Sequence, residues 1–95
     1  MTQKYILDFL SKHKQELETK FSVTKIGLFG SYATNRANKE SDIDLVIETT
    51  VKDFFLRDDL KEYLESRFQI PVDIGYLDGF RAFYRKKIEQ EIIYV

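Results

Sequence analysis

Two short stretches decide the fold: Lys25–Ser31, with the sequence KIGLFGS, and Ser41–Val46, with the sequence SDIDLV. The first is a run of strand-forming residues that ends in the pair Gly30-Ser31. Glycine lets the chain turn without a Cβ in the way, and a serine that begins a short helix presents its backbone N–H and its hydroxyl to an anion. The pattern therefore predicts a strand that ends in a phosphate-binding turn, which suits a nucleoside triphosphate.

The second stretch predicts two carboxylates on one face of a strand, after ten intervening residues. Period-two geometry over Asp42–Glu48 directs Asp42 and Asp44 to one side and packs the other side with Ile43, Leu45 and Ile47. The Cα atoms of the two aspartates should lie roughly 7 Å apart. Their carboxylates can then share one Mg²⁺ or hold two ions about 3.5–4 Å apart. Ligands that are all oxygen favour Mg²⁺ over zinc.

A third carboxylate follows in a third short strand, Ile70–Ile74. Asp73 stands there between apolar neighbours that must face the core, so it should share the face of the first pair. Such a group can complete the coordination of a second metal and take the proton from an attacking hydroxyl. The alternative for the pair is a charged strand edge placed against aggregation. The upstream Gly30-Ser31 and the downstream Asp73 favour the metal site.

Together these features resemble the minimal nucleotidyltransferases, a small branch of the DNA polymerase β-like superfamily. The resemblance covers Val23–Val95 and rests on the GLFGS motif, the ten-residue spacer, SDIDLV and the later VDI. It implies that Gly30 and Ser31 hold the terminal phosphates. It also implies that Asp42, Asp44 and Asp73 are the catalytic and metal-binding residues.

The chain departs from this family at one place. Members often carry an Arg-Gly pair a few residues after the glycine-serine pair, and this chain has Thr34-Asn35 there. Arg36 is displaced by comparison, and with Lys39 it is the candidate for a compensating triphosphate contact. The simpler interpretation of both residues is a solvated loop charge.

Length and composition favour a single domain, residues 1–95, with an aromatic-rich core. Hydrophobic residues make up 43% of the chain and aromatic residues 15%, and cysteine is absent. The net charge of −1 argues against broad attachment to nucleic acid. The N-terminus lacks a signal-type apolar segment and no stretch approaches the length of a membrane span. We therefore expect a cytoplasmic protein without a membrane partner.

Helical periodicity predicts three further elements, Thr2–Lys20, Asp53–Phe68 and Phe80–Ile92, the last with Phe83 and Tyr84 on its apolar stripe. Thr50 with Asp53 resembles a capping pair at the start of the second. The expected order is α-β-α-β-α-β-α, an α/β fold. The family resemblance makes it a polymerase β-like nucleotidyltransferase fold, with a small mixed sheet flanked by helices.

Other polar residues have simple structural interpretations. His13 lies on the apolar stripe of the first helix, where a packing role is expected. A basic run in the last helix predicts a solvated face, with contact to a phosphate or an acidic partner as the alternative; it comprises Arg81, Arg85, Lys86 and Lys87. Asp58-Asp59 predicts surface charge, because adjacent helical residues diverge by about 100°.

These observations predict a Mg²⁺-dependent nucleotidyltransferase, with two ions, that moves AMP from ATP to a hydroxyl. So small a chain has little surface to enclose a large acceptor, which indicates a protein partner. The family resemblance implies an antitoxin that modifies a tyrosine of a HEPN-domain RNase toxin. The alternatives are a non-catalytic antitoxin that masks its partner and a small-molecule nucleotidyltransferase. Base preference and oligomeric state stay open.

Overall fold

A computed structural model describes all of residues 1–95. Its helices are α1 (Gln3–Lys12), α2 (Lys14–Phe21), α3 (Gly30–Ala33), α4 (Phe54–Phe68) and α5 (Ala82–Glu91), with a 3₁₀ turn at Leu77–Gly79. Its strands are β1 (Val23–Phe29), β2 (Ile43–Thr49), β3 (Val72–Tyr76) and β4 (Ile93–Tyr94). No helix is both long enough and apolar enough to cross a membrane.

The four strands form one mixed sheet in the order β3-β2-β1-β4. Strand β1 runs antiparallel to β2 and β4, whereas β2 and β3 are parallel. The predicted α/β fold with a mixed sheet flanked by helices is confirmed. The expected element order lacked the closing strand β4, which is only two residues long and carries too little pattern to be recognised.

One face of the sheet carries the hydrophobic core. The side chains that alternate onto this face are nearly all aliphatic, and α1, α2 and α4 cover them with further buried residues; those below 2% exposure include Ile6, Leu10, Leu17, Ile26, Leu28, Ile43, Leu45, Leu60, Leu64 and Val72. The predicted inward set on β2 is confirmed. The expected aromatic-rich core is wrong, because only Tyr32, Phe68 and Tyr76 among the aromatic residues are buried.

The first helix is broken at His13, where a continuous helix over Thr2–Lys20 was expected. The imidazole Nδ1 lies 2.8 Å from the carbonyl oxygen of Phe9 and donates to it, and the backbone N–H of His13 donates to that oxygen as well. The ring also stacks on Phe9 at 4.0 Å between centroids. His13 therefore ends α1 and redirects the chain into α2, which is a structural role.

The last helix exposes aromatic residues that its periodicity assigned to the core. Phe83 and Tyr84 are 80% and 57% exposed, and no residue of α5 is fully buried. Phe80, which was expected to begin the helix, lies before it and packs on Phe29. The basic residues of α5 are solvated, and Arg85 pairs with Glu89 at 2.8 Å. Helical spacing alone did not distinguish a core stripe from an exposed one.

Helix α4 is capped by Asp53 without the help of Thr50. The Asp53 carboxylate accepts hydrogen bonds from the backbone N–H groups of Phe55 and Leu56, at 2.9 and 3.3 Å. The expected Thr50 cap is therefore wrong, because the helix begins at Phe54 and Thr50 lies outside its first turn.

We predict that Asp53→Ala lowers the free energy of unfolding by about 1 kcal/mol, because two N–H groups at the start of α4 lose their acceptor. Thr50→Ala is the matched control, and its effect should stay within about 0.5 kcal/mol. Urea denaturation followed by circular dichroism measures both. Equal losses in the two variants would contradict the assignment of the cap.

Candidate active site

Three side chains form a row across the second face of the sheet. Phe29 on β1 is in register with Asp44 on β2, and Asp44 is in register with Asp73 on β3. Register partners on neighbouring strands share a face and lie about 5 Å apart. The structure therefore brings Asp44 and Asp73 together on the side opposite the core, at the edge where β1 ends and β2 and β3 begin.

Asp42 lies just before β2, is exposed, and acts electrostatically on Asp44. Burial, together with the negative charges of Asp73 and Asp42, raises the pKa of the Asp44 carboxyl to about 6. Both neighbours are thus close enough to oppose the ionisation of Asp44. Like charges held together in this way are what a bound cation relieves.

The glycine-serine turn lies directly against Asp44. Gly30 follows Phe29, the register partner of Asp44, and has the left-handed value φ +75. A Cβ at Gly30 would collide with the Asp44 carboxylate. Ser31 is half-buried in the short helix α3. The predicted phosphate-binding turn and the predicted acidic strand are therefore in contact.

The departure at Thr34-Asn35 has a structural explanation. Asn35 adopts φ 58, a left-handed conformation that glycine accepts freely and asparagine tolerates. The Thr34 hydroxyl donates to the carbonyl of Gly30 at 3.1 Å, which links the two ends of the turn. Thr34 and Asn35 thus both fit the backbone of this turn.

Arg36 is exposed beyond this turn. Its backbone N–H donates to the carbonyl of Ser31 at 2.8 Å, and its side chain forms no salt bridge. Helix α1 supports the same turn from the other side, because the Gln3 amide donates to the carbonyls of Tyr32 and Ala33 at 3.1 and 2.9 Å. This contact, 29 residues away in sequence, carries no motif from which it could have been predicted.

A groove of about 360 Å³ opens beside Asp73. It runs from helix α4, on the core side, past the edge strand β3 to the second face of the sheet; its lining is Phe29, Arg57, Asp58, Lys61, Asp73, Ile74, Gly75 and Phe80. Phe80 stands over Gly75, where a Cβ would come within 2.9 Å of its ring. Sequence reasoning missed this groove, although the glycine two residues after Asp73 was a signal of close approach.

The carboxylates are oxygen ligands of the kind that Mg²⁺ takes together with a phosphate-bearing substrate. No group of three acidic or histidine side chains is close enough to hold an ion alone. Mg²⁺ is commonly held by one or two carboxylates together with phosphate oxygens and water. Asp42, Asp44 and Asp73 supply all-oxygen ligands of that type, and burial followed by the charges of Asp73 and Asp42 raises the pKa of Asp44.

The chain matches proteins that transfer nucleotides. A model of the nucleotidyltransferase domain family matches residues 10–95. A relative from Thermococcus cleftensis named protein adenylyltransferase MntA is 32% identical over 96 residues, which cover 100% of this chain and 97% of the relative. A Methanocaldococcus jannaschii protein, provisionally named a protein adenylyltransferase, is 39% identical over 92 residues, covering 95% and 94% of the two chains.

Solved structures show the same fold. One, described provisionally as a minimal nucleotidyltransferase, superposes with a TM-score of 0.81 at 23% identity and covers 98% of this chain and 95% of its own. Another, a toxin–antitoxin structure with AMP-PNP, gives a TM-score of 0.73 at 23% identity, covering 88% of this chain and 69% of its own. The family model and the two relatives define a nucleotide-transferring class of protein. The chain belongs to the nucleotidyltransferase domain family and is a nucleotidyltransferase.

We predict that Asp44→Asn stabilises the metal-free protein above pH 6 and has no effect below pH 4. The folded pKa is raised above the unfolded value of 3.8, so the folded state of the parent protein loses stability as pH rises between 3.8 and about 6. Asp44 is half-exposed, so solvent screening limits the gain to about 1 kcal/mol.

The measurement is thermal unfolding in chelator from pH 3 to 8. Asp59→Asn, on the exposed surface of α4, is the control. The difference between its unfolding temperature and that of the parent protein should stay the same at every pH. If the unfolding temperature of Asp44→Asn equals that of the parent protein at every pH, the repulsion between carboxylates at this site is contradicted.

We predict that Gly30→Ala costs at least about 1–2 kcal/mol of folding free energy, because alanine must adopt a left-handed conformation and approach Asp44. Gly79→Ala is the matched control, since a Cβ there meets only an ordinary contact at 3.7 Å. In an Asp44→Ala background the cost of Gly30→Ala should fall, and a double-mutant cycle in urea measures this coupling. Additive costs would show that the two residues do not touch.

Proposed function

We propose that this enzyme transfers AMP from ATP to a hydroxyl of a protein partner, with Mg²⁺. The observation that carries the proposal is the contact of the Gly30-Ser31 turn with Asp44, which is itself in register with Asp73. Nucleotide phosphates and metal-binding carboxylates then belong to one site. The relatives named protein adenylyltransferase support a protein acceptor.

In this reaction the acceptor oxygen attacks the α-phosphorus of ATP. A bond forms between them, the bond to the oxygen that bridges the α- and β-phosphates breaks, and pyrophosphate leaves. Mg²⁺ bound with the nucleotide supplies charge neutralisation on the triphosphate and lowers the pKa of the acceptor hydroxyl. Asp42 and Asp44 would hold it.

The remaining residues bind and move a proton. The turn at Gly30 and Ser31 would hold the terminal phosphates through backbone N–H groups and the serine hydroxyl. Asp73 is exposed at the edge strand, where an acceptor can approach, and its carboxylate would take the hydroxyl proton. Arg36, beyond the same turn, is the candidate for a further phosphate contact.

The biological role that we propose is that of an antitoxin whose partner is a toxin. A toxin–antitoxin structure with AMP-PNP and two variants of a toxin–antitoxin pair that includes MntA share the fold. The family resemblance further implies a HEPN-domain RNase and a tyrosine acceptor. The identification of that partner rests on the resemblance.

A masking antitoxin without chemistry is the second candidate, and one observation favours it. The side chain at Thr34 hydrogen-bonds within its own turn and cannot serve as the arginine that family members often carry near this position. Exposed aromatic residues on α5 offer surface for a partner without any nucleotide. The two candidates differ in whether the partner gains the mass of AMP.

We predict that Asp42→Asn and Asp73→Asn each lower transfer by about 10² or more, because one removes a metal ligand and the other the proton acceptor. Both should still bind the partner. The assay incubates each variant with ATP, Mg²⁺ and the product of the neighbouring gene, and measures intact mass; Asp59→Asn should behave as the parent protein. If Asp42→Asn neutralises a co-expressed toxin as well as the parent chain does, masking is the function.

A further inference from the structure

Strand β3 has a free edge. It is the outermost strand of the sheet, with β2 as its single strand neighbour. The N–H of Ile43 donates to the carbonyl of Pro71 at 3.0 Å, so the alternation of a parallel ladder directs the peptide groups of Asp73 and Gly75 toward β2. Those of Val72 and Ile74 point away from the sheet.

One outward group is already capped. The N–H of Val72 donates to the Glu65 carboxylate at 2.9 Å, which confirms the outward direction and closes the edge at its beginning. The N–H and C=O of Ile74 have no strand beyond them. An outward N–H and C=O on the same edge residue, such as those of Ile74, can pair with the backbone of an added strand.

The groove beside Asp73 follows this edge. Three consecutive residues of β3, Asp73–Gly75, line it, together with α4 on the core side and Phe80 on the opposite side of the sheet. Residues from both sides can line one groove only if it wraps around the strand edge. The space is therefore open to an extended chain that lies alongside β3.

The rim of the groove is cationic on one side. The Arg57 guanidinium is held over the rings of Phe54 and Tyr76, at 5.0 and 5.9 Å from their centroids. Lys61, one turn further along α4, is exposed and forms no salt bridge. Arg57 also lies 3.8 Å from the carboxylate of Asp58 beside it, so Lys61 is the cation without an ion pair that can meet an acidic side chain of an incoming segment.

We propose that the acceptor protein docks by adding an extended, acidic segment to the free edge of β3, with its reactive hydroxyl in register with Asp73. This inference rests on the proposed function and names how that site takes its acceptor. The segment pairs its backbone with Ile74, and its acidic residues meet Lys61. Its apolar side chains pack on Phe80.

Register explains why this docking serves the chemistry. A residue added beside Asp73 extends the row of Phe29, Asp44 and Asp73 by one strand and points to the same face. Its Cα lies about 5 Å from that of Asp73 and about 10 Å from that of Asp44. A tyrosine at this position carries its hydroxyl across Asp73 toward Asp44, where the α-phosphate must lie.

The test uses a synthetic nine-residue peptide with tyrosine at its centre, valine on both sides of it and glutamate at both ends. Amide hydrogen exchange of the full chain, measured by NMR without nucleotide, should show the Ile74 N–H slowed about tenfold or more at saturating peptide. The already paired N–H groups of Asp73 and Gly75 should change little. Unchanged exchange at Ile74 with millimolar peptide overturns the proposal.

Two N-methylated forms of the peptide provide matched controls. Alternate N–H groups of a strand face a given neighbour, so methylation of one alternating set blocks pairing with β3 and methylation of the other set leaves it intact. One form should lose the protection of Ile74 and the other should keep it. Equal behaviour of the two forms overturns strand addition.

A charge reversal tests the rim. Lys61→Glu should weaken peptide affinity about fivefold at low salt, whereas Lys87→Glu, on the exposed surface of α5, should leave it unchanged. If the two variants change the peptide affinity equally, the role of the cationic rim in binding the segment is overturned. If AMP-PNP alone protects Ile74, the groove is a nucleotide site and the proposal is wrong.

Adding ATP and Mg²⁺ to the same samples separates this proposal from the proposed function. Protection of Ile74 without a gain of AMP mass on the peptide supports docking and contradicts transfer. A gain of AMP mass without protection of Ile74 supports transfer and overturns docking at the edge.

Discussion

The contact between Gly30 and the Asp44 carboxylate is the constraint on which the site depends. Phe29 is registered opposite Asp44, so the residue after Phe29 must turn away immediately above that carboxylate. Only a residue without a Cβ can do so at φ +75. The phosphate turn and the acidic strand are therefore one structural unit, joined by the loop that the ten-residue spacer forms.

The two faces of the sheet divide stability from function. The core face is filled by aliphatic side chains, whereas the second face carries the row of Phe29, Asp44 and Asp73. Glycines on that second face leave space for the side chains that pack over it. Gly27 and Gly75 lie on either side of the buried Val46, and their missing side chains make room for Ile92, Tyr94 and Phe80. A cover is thus built there without crowding the carboxylates.

The sequence predicted what depends on local periodicity. Alternation along β2 placed Asp44 opposite the core, and the glycine-serine pair placed the turn, because both follow from the residues themselves. Contacts between distant segments were not predictable. The Gln3 amide that holds the turn and the position of Phe80 over Gly75 arise from tertiary packing, and the exposure of Phe83 depends on which neighbours α5 has. The break at His13 depends on one ring bonding a carbonyl four residues back.

The site carries an excess of negative charge, which affects what it can bind. Burial and the charges of Asp73 and Asp42 already raise the pKa of Asp44 to about 6 without a ligand. A triphosphate would add more negative charge. The Thr34 hydroxyl is engaged with the carbonyl of Gly30, and Asn35 adopts the left-handed backbone conformation of the turn. Under the proposed function, the opposing positive charge would come from metal ions, from Arg36 at the end of the same turn, or from the partner protein. The chain would then position the nucleotide, and the ions or the partner that join it would supply the charge.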